Sequence, residues 1–161
     1  MRFLIMSIFF FSLGSITVTH AKTDWPEFQP RLSAGQSNSP VKAPPIKTAI
    51  SSPADTTDVA KAAYLGKWDG WMCRRRRVDV KVAVSEINDN EAMVAYHVAS
   101  EQIAPTTQSF TGKFLDGEIV GILPHGRSEI TLAMRDDGNL NIRWRNLDRE
   151  GWCTGIISRS D

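Results

Sequence analysis

The chain predicts an all-β protein: about eight short antiparallel strands in an up-and-down meander, closed into a small barrel and preceded by a disordered tether. Three observations predict it. From Tyr64 onward, apolar and polar residues alternate with period two, segment after segment. Tight turns rich in Asp, Asn and Gly separate the segments. A meander of that many strands in under 100 residues can close into a small barrel, which also removes its exposed edges; a flattened sandwich or half-open barrel is the alternative.

Residues 1–21 read as a signal peptide. Arg2 supplies a positive start, Phe3 to Val18 is almost unbroken apolar sequence, and Thr19-His20-Ala21 offers small residues where a signal peptidase reads. About 16 apolar residues fall short of the roughly 20 a spanning helix needs. Cleavage after Ala21 leaves no membrane span, and the mature chain is expected in the periplasm or secreted, in an oxidising compartment. Residues 22–60 are rich in Pro, Ser, Thr and Ala and carry neither strand nor helix periodicity. They read as a disordered linker, because so little apolar surface does not offset the entropy of ordering it. Trp25 and Phe28 stand out there, either as docking aromatics or as ordinary residues near the cleavage site.

Residues 61–161 form the expected barrel domain. The first strand lies in "GKWDGWMC", Gly66 to Cys73. The second places Val78, Val80, Val82 and Val84 on one face, with Asp79 and Lys81 on the other. Val94, Tyr96 and Val98 alternate next, followed by Phe110 and Phe114, Ile119 with Leu123, Ile130 with Leu132 and Met134, and Leu140 with Ile142 and Trp144. The last strand is "WCTGIISR", from Trp152. Turn arithmetic sets the register. A two-residue Asp116-Gly117 loop pairs Phe114 with Ile119, whereas a three-residue loop Asp136-Asp137-Gly138 pairs Met134 with Leu140. A three-residue loop Asn88-Asp89-Asn90 pairs Val82 with Tyr96. So small a barrel is filled mainly by its own side chains, so any ligand cavity is small or shallow.

Cys73 on the first strand and Cys153 on the last become neighbours only in a closed meander. Two cysteines in an exported domain point to a disulfide across that seam; a catalytic thiol is the alternative. Arg74, Arg75, Arg76 and Arg77 fall where the chain reverses between strands one and two. They form either a solvated turn flanked by Asp69 and Asp79, or a site for phosphate or acidic polysaccharide. Arg143 and Arg145 share an outward face near Arg135. Trp71, Trp152 and these arginines are the candidate ligand-binding residues, since indole and guanidinium groups suit sugar rings and anions.

Other chemistries find little support. From Tyr64 on there are 13 Lys and Arg against 14 Asp and Glu, so nucleic acid is not the expected partner. His97 and His125 lack metal-ligand spacing, which predicts no metal site and no cofactor. His97 reads as exposed, and Ser128 near His125 lacks a nucleophile-elbow pattern. Asp136-Asp137 is explained by its turn, and the chain is not expected to be an enzyme.

Gly66-Lys67-Trp68 opening an eight-strand meander, with Arg159 on the last strand, resembles the calycin superfamily of lipocalins, avidins and fatty-acid-binding proteins. The resemblance implies that Trp68 closes one end of the barrel and Arg159 packs across it. If Cys73 stood opposite Cys153, however, Trp68 would face Ser158 and Arg159 would turn outward; a bulge near the two tryptophans would reconcile them. The chain is also similar to small exported bacterial inhibitors of alkaline metalloproteases, whose N-terminal segment blocks the protease cleft. Its second cysteine, on the last strand, departs from that family. The expected function is an exported, non-catalytic binding module of the cell envelope for a small amphipathic ligand or an anionic glycan. The alternative is a module for an exported protein partner, such as a protease inhibitor.

Overall fold

A computed structural model describes residues 37, 39–54, 57–74 and 77–160; the signal-like segment, Trp25, Phe28, Arg75 and Arg76 lie outside them. Eight antiparallel strands follow one another in sequence order and close into a barrel. They are β1 (Gly66–Met72), β2 (Val78–Asn88), β3 (Glu91–Ser100), β4 (Ile103–Leu115), β5 (Glu118–Ile122), β6 (Ser128–Met134), β7 (Leu140–Asn146) and β8 (Trp152–Ser160). A one-turn helix, α1 (Val59–Ala62), precedes β1, its first turn capped by the Asp58 carboxylate. Among the described residues no helix is long and apolar enough to cross a membrane.

The alternation predicted from sequence is the inside–outside pattern of the barrel. Val78, Val80, Val82 and Val84 point inward with Val94, Tyr96, Ile119, Ile130, Leu132, Leu140, Ile142 and Ile157 in one continuous core. Phe110 fills the space beside Gly121, where an added Cβ would collide with its ring. The hairpin registers follow the turns. Phe114 pairs with Ile119, and Asp116 and Gly117 both take positive φ, as a type I′ turn needs. Met134 pairs with Leu140, with Gly138 in the left-handed region. Val82 does face Tyr96, but by a different route: Asn88 pairs with Glu91, so the loop is only Asp89-Asn90. The extra residue sits in a bulge between Val84 and Glu86.

One end of the barrel is shut by the Gly-x-Trp segment. Trp68 is fully buried, and its indole Nε1 donates to the Tyr64 carbonyl at 3.1 Å. Arg159 lies over its ring, 4.4 Å from the centroid, and donates to the carbonyls of Leu65 and Ala63, each at 2.8 Å. Gly66, at φ 138°, leaves the room that the Arg159 guanidinium uses, since a Cβ there would strike it. The Tyr64 hydroxyl donates to Gly117 O and accepts from Met134 N, both at 2.7 Å, bridging two further turns. Burial raises the Tyr64 pKa above its ordinary value, against the opposing hydrogen bond from Met134.

The feared conflict between disulfide and tryptophan does not arise. Trp68 pairs with Arg159, and β1 and β8 stay in step through Met72 and Gly155. Cys73 lies just past β1, opposite Thr154 rather than Cys153, and its backbone turns left-handed at φ 61°. That kink sends the side chain back one residue to bond Cys153, with the Cα atoms 4.9 Å apart. No bulge among the tryptophans is needed.

The second half of the expected linker is not a free tether. Residues 39–54 form an extended strap on the outer face of β2 and β3. Ala43 N donates to the buried Asp79 carboxylate at 2.6 Å, and Lys42 reaches the same carboxylate at 3.7 Å. His97, expected to be exposed, lies under the strap with Nδ1 3.0 Å from the Pro44 carbonyl. Ile46 packs on Ala83 and Ala95. Ser51 N donates to the carbonyl of Ser85, the bulge residue, at 2.8 Å. Small outward side chains at Ala83, Ala95 and Ala99 let a backbone approach the sheet closely; all three are buried.

Two outcomes test this architecture. Arg159→Ala should lower the unfolding free energy by about 1 to 2 kcal/mol, the worth of a half-solvated cation–π contact and two charged hydrogen bonds. Urea denaturation reads it, and an unchanged midpoint would show that the contact contributes nothing. Limited trypsin digestion of the native protein should cut slowly at Lys47, whose backbone is held between the strap's anchors at Ala43 and Ser51, whereas Asp79→Ala should open the strap and speed cleavage there. Equal cleavage rates in both proteins would count against an anchored strap.

Candidate binding cleft at the arginine end

In an up-and-down barrel every second connection emerges at the same end. The turns after β1, β3, β5 and β7 therefore gather opposite the Trp68 plug. The first is the arginine turn: Arg77 N donates to Cys73 O at 3.0 Å, and Arg74 and Arg77 are exposed. The last is the β7–β8 connection, which is held rather than loose. The Asn146 side-chain oxygen accepts from the backbone N–H groups of Asp148 and Arg149 at 2.8 and 2.9 Å, the local closure that makes Asn a turn residue. Asn146 N donates to Gly151 O, and Leu147 N to Arg127 O in the neighbouring turn.

Between these two turns lies a cleft of about 530 Å³. The Cys73–Cys153 disulfide and Trp144 form part of its wall, and Arg74, Arg149, Glu150 and Trp152 complete it. Trp144 also packs against the core from the inward face of β7. Trp152, by contrast, is 59% exposed, an unusual position for so large an indole. A second, more open cleft of about 790 Å³ adjoins the first, lined by Arg145, Asp148, Arg149, Glu150 and Trp152.

The structure thus brings Arg74 and Trp152 together and sets Arg145 next door. It does not bring Trp71 or Arg143 to the cleft. Trp71 is half-buried on the outer face, paired with Asp79 on β2 and Ile156 on β8. Arg143 reaches Glu129 at 3.7 Å and Thr131 at 3.5 Å. Burial lowers its guanidinium pKa, while the Glu129 carboxylate works in the opposite direction. Arg145 also binds Glu129, at 2.9 Å, and Arg135 binds Asp137 at 3.0 Å. The outward arginines of β7 therefore share the Glu129 carboxylate and do not form a bare basic face. Asp69 and Asp79, considered as neighbours of the arginine turn, are engaged by Lys81 at 2.9 Å and Lys42 at 3.7 Å instead.

Arg149, Glu150 and Asn146 escape a reading by residue type, since "NLDREG" looks like any polar turn. The missed signal is parity: the β1–β2 and β7–β8 turns share an end, and the closed seam makes their strands neighbours. Among known proteins, no family model matches the chain, and no curated protein or solved structure matches it. The architecture by itself, a closed eight-stranded antiparallel barrel with its Gly-x-Trp plug, is consistent with a calycin-like fold.

The disulfide ties this cleft to the stability of the barrel. It closes a separation of 80 residues, for which the chain-entropy relation gives about 4.5 kcal/mol at most. Reduction should lower the thermal midpoint and change the fluorescence of Trp144 and Trp152 together. Thiol titration of native protein should find no free cysteine, and two free thiols would refute the seam staple.

Proposed function

We propose that this chain is an exported, non-catalytic binding module of the cell envelope, and that the cleft beside the disulfide takes an anionic glycan. One observation carries the reading: the guanidinium groups of Arg74 and Arg149 line the same open cleft as the exposed indole of Trp152. Planar guanidinium groups pair with carboxylate and sulfate oxygens, and the indole face offers a stacking surface to the C–H side of a sugar ring. These groups recognise ligands; they neither attack nor shuttle protons at neutral pH. Export to the periplasm or beyond is supported by the signal-like residues 1–21 and is compatible with the intact Cys73–Cys153 bond.

A protein-partner role, such as inhibition of an exported protease through the N-terminal segment, is the second reading. The strap favours it to this extent: by gripping residues 39–54 it would hold a preceding inhibitory segment against the barrel. Because the strap belongs to the folded unit, the discriminating truncation removes only residues 22–36. A glycan array probed with the mature chain should show acidic saccharides bound, with the signal lost in an Arg74→Ser, Arg149→Ser double variant and kept after truncation. If the array is blank while the mature chain inhibits an exported metalloprotease and the truncated one does not, the second reading replaces the first.

A further inference from the structure

The clefts flanking Trp152 differ in charge. They share Asn146, Arg149, Glu150, Gly151 and Trp152, so the β7–β8 connection and the Trp152 indole border both. On the disulfide side the groups added are Arg74 and Trp144, which make that cleft cationic and apolar. On the other side the groups added include Arg145 and Asp148, so donors and acceptors are balanced. Arg145 is steadied by Glu129 at 2.9 Å, and Asp148 by its N–H bond to Asn146 and its ion pair with Arg127 at 3.5 Å. The balanced cleft thus presents Arg145 and Asp148 from partnered positions.

Building on the glycan reading above, we infer that the ligand spans both clefts across Trp152 as an oligosaccharide in which an acidic sugar adjoins an uncharged one. The acidic unit lies against Arg74 and Arg149. The uncharged unit lies in the balanced cleft, where its hydroxyls donate to Asp148 and Glu150 and accept from Arg145. A second acidic unit there would meet Asp148 as well as the Glu150 that both clefts share, against Arg145 and Arg149, and so gains less than the first unit does beside Arg74 and Arg149, which works against uniformly acidic chains. A wholly neutral chain would leave Arg74 and Arg149 unmatched. A single sugar would use only one of the two clefts.

Calorimetric titration of the disulfide-intact mature chain tests this. The probes are glucuronic acid, an alternating glucuronate–N-acetylglucosamine tetrasaccharide, a tetrasaccharide of galacturonate alone, and a tetrasaccharide of N-acetylglucosamine alone. The alternating chain should bind at least about tenfold more tightly than any other probe. The exposed double substitution Asp148→Asn, Glu150→Gln, checked for an unchanged circular dichroism spectrum, should raise affinity for the all-galacturonate chain and narrow that gap. If galacturonate chains bind the native protein as tightly as the alternating chain, or the monosaccharide binds as tightly as either, the two-cleft inference is overturned and the acidic-glycan reading stands. If no acidic saccharide binds at any length, both fall.

Discussion

The ladder between β1 and β8 is the contact on which everything else in the barrel depends. Seven of the eight strand pairings join neighbours in sequence and need only a turn. The eighth joins the first strand to the last, and it alone converts a twisted sheet with two open edges into a closed core. Its two ends are secured by different chemistry. At one, Trp68 faces Arg159, and a buried indole is held by a guanidinium that also binds two backbone carbonyls. At the other, the left-handed turn at Cys73 brings its sulfur to Cys153. The candidate cleft lies beside the second fastening, so the feature that closes the barrel also shapes the candidate site.

The strap shows how a polar face becomes a buried one. Strand positions that point away from the core are ordinarily solvated, and Asp79 and His97 occupy such positions on β2 and β3. Each is covered because residues 42–44 supply a backbone N–H, an ammonium group and a carbonyl at matching places. The alanines between them act by being small. A larger residue at Ala83 or Ala95 would hold Ile46 away from the sheet and leave the Asp79 carboxylate without its backbone donor.

How much of this is legible in the sequence depends on the range over which each constraint acts. The alternation of Val78 to Val84 and the Asp116-Gly117 and Asp136-Asp137-Gly138 turns are local, and each predicts its own register. The bulge at Ser85 is not, because a three-residue loop and a two-residue loop with a bulge bring Val82 to the same partner. The strap is hidden for a related reason. "PVKAPPIKTAI" has no period of its own and takes its order from a surface about 40 residues away, the Ala43–Asp79 bond spanning 36 positions. In the candidate site, Arg74 and Trp152 stand out by residue type, whereas Arg149 and Glu150 gain meaning only when the β7–β8 turn is placed beside the arginine turn. Trp71 and Arg143 stand out equally by type, yet the strand pleat carries them elsewhere.

The position of the seam also bears on how the molecule comes into being. A ribosome makes β1 first and β8 last, and the nine residues of β8 include both Cys153 and Arg159. Until they emerge, β1 presents one edge with unpaired N–H and C=O groups, Cys73 lacks its partner, and Trp68 has no lid. The nascent barrel is therefore an incomplete sheet until β8 is made, open to pairing with any extended neighbour. A barrel whose last strand closes its first cannot mature piecemeal; it is finished only when β8 arrives.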